Sequence, residues 1–258
     1  MAPMGRIAAL LNQKGGVGKT AVTLGLASAA AHAGHRVLVV DLDPQGSSTW
    51  VLGHDPAVDR PADGSARGGS ATSVTIVQSL WGPEVDLVPA SPSLHDHHHS
   101  RRDGAVDQLR GALRRVAADY TAVLIDCPPS LGNLTISGLT AADLAVIVVD
   151  PAALGLRGIG AVADTIDQVW ENHNADLELA GVIVNRMPAI SAEADRRYDE
   201  LARIVGRKAI WQPSVPQRVI INQAIGERRP VHAFGARAAE VTDAFDKLWA
   251  KLRKAAQN

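Results

Sequence analysis

Short apolar runs recur along the chain, and most are followed by a stretch whose apolar positions return at helical spacing. Ile7-Ala8-Ala9-Leu10-Leu11 is the first such run, and the small aliphatic stretch from Ala21 to Ala33, closed by Gly34, follows it. The alternation predicts strands over 7–12, 36–41, 85–88, 122–126, 144–149 and 179–184, with a short one near 209–211. Helices are predicted over 21–33, 106–118, 159–170, 192–205 and 238–255. Apolar strands separated by helices point to parallel pairing covered on two sides, an α/β doubly wound sheet. Functional loops of such a sheet lie at the carboxyl ends of its strands. Asn12, Asp41, Asp126 and Asn185 all fall at or just after such ends.

Residues 54–73 break the alternation, being rich in Gly, Ala, Ser, Pro and Asp. Because the βα pattern resumes directly afterwards, this stretch is expected to be a mobile surface loop within one domain spanning 1–258. Composition narrows the class further. At 258 residues, 46% hydrophobic and with a net charge of −1, the chain is long enough for a sizeable core and carries no dominant polybasic tail. No apolar run reaches the length of a membrane span, and no secretory signal opens the sequence. The lone Cys127 excludes a disulfide framework and a self-contained zinc or iron–sulfur site. A cytoplasmic location is expected.

The chemistry starts between the first strand and the first helix, in Lys14-Gly15-Gly16-Val17-Gly18-Lys19-Thr20-Ala21. A glycine-rich turn entering a helix N-terminus lets backbone N–H groups converge on phosphate oxygens, aided by the helix dipole. Lys19 would reach the β- and γ-phosphates, and the Thr20 hydroxyl would ligate Mg²⁺. A nucleoside triphosphate with Mg²⁺ is therefore the expected ligand. In Asp41-Leu42-Asp43-Pro44-Gln45-Gly46, two carboxylates end the second strand. Beside a triphosphate they can hold the metal shell or orient an attacking water; alone, the same residues form an ordinary turn. Four apolar residues ending in Asp126 form a Walker B pattern, whose carboxylate interacts with Mg²⁺. Pro128 and Pro129 stiffen the loop that follows, and Cys127 is expected to be a packing residue. Asn185 closes the sixth strand, where its amide can pair with the Watson–Crick edge of adenine.

The loop departs from the ordinary motif: Gln13 stands where a glycine is usual, and Lys14 is an additional lysine. With Asp-x-Asp-Pro-Gln and Asp126-Cys127-Pro128-Pro129-Ser130-Leu131-Gly132, it resembles the deviant Walker A, switch I and switch II segments of the ParA/MinD family of ATPases. The resemblance runs from residue 5 to about residue 250. It implies that Lys14 crosses a dimer interface to the partner's nucleotide, that Asp43 positions the attacking water beside the metal, and that Asp41 supports the metal site. Pro216 resembles the proline that lies on the base. The resemblance further implies an ATP-dependent homodimer that binds DNA without sequence preference and associates with the nucleoid. Slow hydrolysis, accelerated by a ParB-like activator, would release it. Arg218, Arg229 and Arg237, with Arg228 nearby, are the candidate DNA contacts. Here the chain departs from the family: Pro-Arg-Asn-Val-Arg reads Pro216-Gln217-Arg218-Val219-Ile220, and Ala-Pro-Ser reads Ala224-Ile225-Gly226. The early first strand implies a short member without a separate DNA-reading domain.

Three other readings stay open, one of them an orphan member of the family serving conjugation, carboxysome or chemoreceptor positioning. Phe245, Leu248, Trp249 and Leu252, among Lys247, Lys251, Arg253 and Lys254, form a basic amphipathic helix such as MinD proteins use on membranes. The same apolar side can instead cover the sheet, and Asp-Pro-Gln resembles ParA rather than MinD, so no stable membrane association is expected. A ligating enzyme related to dethiobiotin synthetase could use the same loop. His95, His97, His98 and His99 could bind a metal, although a solvated segment is the expected role.

Overall fold

The computed structural model describes residues 5–54, 74–91, 105–151 and 158–256. Strand β1 (Arg6–Leu11) leads into α1 (Lys19–His32), β2 (Val37–Asp41), the short helix α2 (Ser47–Val51), the two-residue β3 (Val77–Gln78) and β4 (Val85–Val88). Next come α3 (Ala105–Val116), β5 (Ala122–Asp126), α4 (Asn133–Ala141), β6 (Leu144–Val149), α5 (Ile159–Asn172) and β7 (Glu178–Val184). Helices α6 (Ala192–Val205), α7 (Val219–Gly226) and α8 (Ala239–Ala255) follow, with a 3-10 segment at Val231–Ala238 before the last.

The strands form one sheet in the order β3-β4-β2-β5-β1-β6-β7. All neighbours are parallel except β3 against β4. From β1 the chain builds first toward β2 and later toward β6, so β1 lies at the point where strand order reverses and a crevice opens. Register places Asp41 of β2 opposite Asp126 of β5, setting two carboxylates side by side at adjoining strand ends.

Side chains of β1 alternate between two buried layers. Ala8 and Leu10 join the layer under α1, α7 and α8, while Ile7, Ala9 and Leu11 join the layer under α3, α4 and α5. Burial on both faces explains why the strands read as continuous apolar runs. Helix α1 is made of small residues because α8 approaches it closely. A Cβ on Gly25 would lie 2.2 Å from the Phe245 ring, so glycine at a cost of about 1 kcal/mol in helix propensity is what the contact requires. The helix ends as expected at Gly34, whose φ is 70°. Gly34 N–H donates to Ala31 and His35 N–H to Ala30, each at 2.9 Å, forming a Schellman cap.

Several expectations need correction. Helix α1 starts at Lys19 rather than Ala21, so the lysine and threonine of the phosphate loop sit in its first turn. Residues 209–211 make only an isolated bridge, Ile210 to Val182, too short for a strand. Helices α2, α4 and α7 and the edge strand β3 were not expected. The first is a single turn, Gly138 interrupts α4, and α7 is too uniformly apolar at its start to show a period. Of the proposed loop over 54–73, all but His54 lies outside the described residues, as do His95, His97, His98 and His99.

Candidate functional site

The ends of β1, β2, β5 and β7 bring the chemistry together. Gly18 has a φ of 88°, and a Cβ there would sit 2.2 Å from the Asn185 side-chain nitrogen, so the close approach of loop and β7 demands glycine. Asn185 Nδ2 donates to the Val17 carbonyl at 2.8 Å. Its neighbour Arg186, in a left-handed conformation, donates to the Gly16 carbonyl. Two consecutive residues of one strand end thus hold the turn of the phosphate loop. Asn185 Oδ1 is buried and has no partner among the described residues. Pro216 is buried beside it, bridged to Met187.

Lys19 is 6% exposed. Burial lowers its pKa, opposed by the charges of Asp126 and Asp43. Thr20 Oγ1 donates to Asp126 Oδ2 at 2.8 Å, and Ser48 Oγ donates to the same oxygen at 2.7 Å. Asp41 Oδ2 accepts both the backbone N–H and the hydroxyl of Thr49 at 2.8 Å, and Asp41 Oδ1 accepts the N–H of Asp43 at 3.1 Å. Burial pushes both carboxyls above the ordinary carboxylate range. The charge of Asp126 adds to this at Asp41, whereas the hydroxyls of Ser48 and Thr20 work against it at Asp126. Asp126 Oδ1 is buried and has no partner among the described residues. Two desolvated carboxylates, one of them with an orphaned oxygen, and a hydroxyl make an all-oxygen donor set, which fits a hard divalent cation such as Mg²⁺. Among the described residues no three His, Cys, Asp or Glu are placed to hold a metal alone, so substrate phosphates would complete the shell.

Asp43 is half-buried at the mouth of this arrangement, and its Oδ1 accepts the Gln45 N–H at 3.0 Å. It is both turn former and a carboxylate facing the site. Lys14 lies apart from these groups, its Nζ held at 3.0 and 3.1 Å by the two oxygens of Asp150, just after β6. Its backbone N–H donates to Asn12 Oδ1 at 2.9 Å. Cys127 is fully buried, and burial pushes its thiol pKa up, which suits packing rather than nucleophilic chemistry.

The arginines of the last third stand elsewhere. Arg218 forks onto Glu240 at 2.8 and 2.9 Å, Arg229 lies over Phe234 and 3.4 Å from Glu227, and Arg237 donates to Gln223 at 3.0 Å. Phe245, Leu248, Trp249 and Leu252 of α8 are all buried in the layer shared with α1. No described helix is long and apolar enough to cross a membrane.

Ser48, Thr49, Asp150 and Arg186 were not anticipated as site residues. Asp150 carried a readable signal, since it ends an apolar strand as Asp126 does. The hydroxyls of Ser48 and Thr49 carried none, because their role depends on a helical turn too short to recognise.

A doubly wound sheet with a glycine-rich loop, a helix-borne lysine and threonine, and paired strand-end carboxylates defines a phosphate-loop nucleotide-binding protein. A family described as AAA domain matches residues 5–179. The sporulation initiation inhibitor protein Soj of Bacillus subtilis is 32% identical over 242 residues, covering 92% of this chain and 95% of that protein. The chromosome-partitioning ATPase Soj of Thermus thermophilus is 34% identical over 250 residues, covering 90% and 94%. Cobyrinic acid a,c-diamide synthase from Mycobacterium smegmatis, solved with ADP and magnesium, superposes with a TM-score of 0.77 at 30% identity, over 96% of this chain and 94% of that one. The chain belongs to the Soj/ParA family of partition ATPases.

Proposed function

We propose that this protein is a partition-type ATPase that closes into a nucleotide-sandwich homodimer, binds DNA while ATP-bound and lets go on hydrolysis. The observation that carries the reading is the pair of loop lysines. Lys19 is buried at the helix N-terminus, whereas Lys14 is turned away to Asp150 and is free to serve another site once that ion pair opens. Backbone N–H groups from Gly15 to Ala21 receive the phosphates, with Val17 anchoring the turn. Lys19 neutralises the β- and γ-phosphates. Thr20, Asp43 and Asp126 would hold Mg²⁺, with Asp41 behind them. When bound, the ion neutralises the triphosphate and stabilises the charge that develops on the transferred group.

Asp43 orients the attacking water and accepts its proton. Asn185 Oδ1, the free acceptor, suits the exocyclic amine of adenine, and Pro216 lies on the base. Lys14 exchanges Asp150 for the partner's nucleotide, so triphosphate selects the closed dimer. Arg218, Arg229 and Arg237 of the closed dimer contact DNA phosphates without reading sequence. A ParB-like activator accelerates hydrolysis, and the ATP-bound form resides on the nucleoid while it positions DNA or another cargo.

Light scattering with ATP and Mg²⁺ tests the scheme. Asp43→Ala should accumulate as a dimer retained on DNA at low salt, and Lys14→Ala should stay monomeric. A monomeric Asp43→Ala protein would remove the sandwich. A second reading, a ligase, is favoured by the likeness to the diamide synthase. It requires ADP release that depends on a small-molecule acceptor and not on DNA.

A further inference from the structure

The turn after β2 delivers two consecutive hydroxyls to two different carboxylates. Thr49 grips Asp41 and also accepts the Ala90 N–H at 2.8 Å, so its hydroxyl donates once and accepts once. Ser48 is fully buried, and its hydroxyl spans from α2 to the end of β5. Two other buried helical hydroxyls behave differently. Thr23 and Thr165 return their hydrogens to the carbonyls of Lys19 and Ala161, one turn back in their own helices. Ser48 Oγ instead donates to Asp126 Oδ2 at the end of β5, the oxygen that Thr20 also engages, while Oδ1 receives no hydrogen bond from any described residue. The carboxylate is therefore pinned by one oxygen and presents the other.

We propose that Ser48 is a positioning residue for the metal-binding carboxylate, holding Asp126 by Oδ2 so that Oδ1 faces the cation position. This inference rests on the ATPase reading above. Thr20 donates its proton to the same oxygen and keeps its lone pairs to ligate the ion, so it moves with the metal site. Ser48 has no such second duty, and it adds a second restraint on Oδ2 that is independent of the ion. Because Ser48 and Asp43 stand on the same segment, the hydrogen bond also fixes the metal carboxylate relative to the water-orienting one. Groups that hold a metal ligand in place typically contribute about 10- to 100-fold to metal affinity, even though they never touch the ion.

The test uses the full chain and a fluorescent, slowly hydrolysed ATP analogue titrated with Mg²⁺. Ser48→Ala should raise the Mg²⁺ concentration for half-maximal binding by about tenfold or more. Binding in EDTA should stay at the wild-type value, and the melting temperature should fall by no more than the few degrees that the loss of one buried hydrogen bond entails. Ser47→Ala, at the exposed neighbouring position, should change none of these. Unchanged Mg²⁺ dependence in Ser48→Ala would overturn the proposal. Equal weakening with and without Mg²⁺ would also overturn it, by making the residue structural. If the wild-type protein itself showed no Mg²⁺-dependent uptake, the ATPase reading would fall first and this inference with it.

Discussion

Helix α1 carries a polar cluster at each end, and the two clusters differ in one physical respect. At its N-terminus Lys19 and Thr20 face Asp126, whose Oδ1 has no partner among the described residues. Near its C-terminus Ser28 lies 2.7 Å from His232 Nδ1, and His232 Nε2 lies 3.1 Å from Asp246, a serine–histidine–aspartate set by residue type. A proton on Nε2, facing the carboxylate, leaves Nδ1 to accept from the Ser28 hydroxyl. That second cluster is closed. Ser28 is 1% exposed, its hydroxyl oxygen also accepts the His232 N–H, and His32 stacks over the histidine ring at 4.7 Å. Nucleophilic residue types therefore do not make a site when every donor and acceptor is spoken for. Unmet capacity does, because a buried unpaired acceptor costs about 1–3 kcal/mol until something binds it.

The largest effect expected from this contrast is at Lys19. Lys19→Ala should weaken ATP binding by at least about 100-fold, roughly 3 kcal/mol, since the lysine also balances the buried carboxylates. Calorimetry reads the affinity directly. Nucleotide uptake within a few-fold of wild type would place the binding energy elsewhere and break the contrast.

Asp150→Asn should act more gently and in the opposite sense. Its ion pair with Lys14 is partly exposed and worth about 1 kcal/mol at most. Each protomer of a dimer loses one such pair, so ATP-dependent dimerisation should tighten by roughly tenfold. Concentration-dependent light scattering measures it. Weaker dimerisation would mean that Asp150 guides Lys14 toward the partner instead of competing for it.

These two lysines also show how far the sequence could be read. Strands were legible because burial on both faces makes them continuous apolar runs. Lys19 and Thr20 were singled out by a local spacing that their chemistry needs, and Asp126 by the apolar run it ends, although it lies 106 residues from Thr20. Lys14 was singled out by its position, yet its pairing with Asp150 joins residues 136 positions apart and appears only when β1 and β6 become neighbours. Ser48 is a similar case, since one turn of helix carries no period and its partner Asp126 is 78 residues away. Arg218 read as a free cation, and folding set Glu240 against it. Local spacing is visible along a chain, whereas partners supplied by topology are not.

At the closed end of α1 the expected effects are on stability alone. His232→Gln should cost about 1–2 kcal/mol in urea unfolding, because it loosens a buried hydrogen-bonded set, and it should leave ATP affinity unchanged. A drop in affinity of tenfold or more would show that the two ends of the helix are coupled.

The smallest effect is the pH dependence that the same histidine confers. Burial, assisted by the neighbouring His32, lowers its pKa below the ordinary imidazole value of 6.5, while Asp246 pulls the other way without prevailing. The folded state thus prefers the neutral ring more than the unfolded state does. This contribution is fully present above pH 6.5, and it declines as pH falls below that value, where the unfolded chain takes up the proton first. Lowering the pH from 7.5 to 5.5 should depress the melting temperature of the wild type by roughly 1–3 °C more than that of His232→Gln, since the paired comparison cancels every other titrating group. Equal depression in both proteins would mean that Asp246 offsets the burial in full. The closed cluster would then be indifferent to protonation, and the line between the two ends of α1 would rest on hydrogen-bond capacity alone.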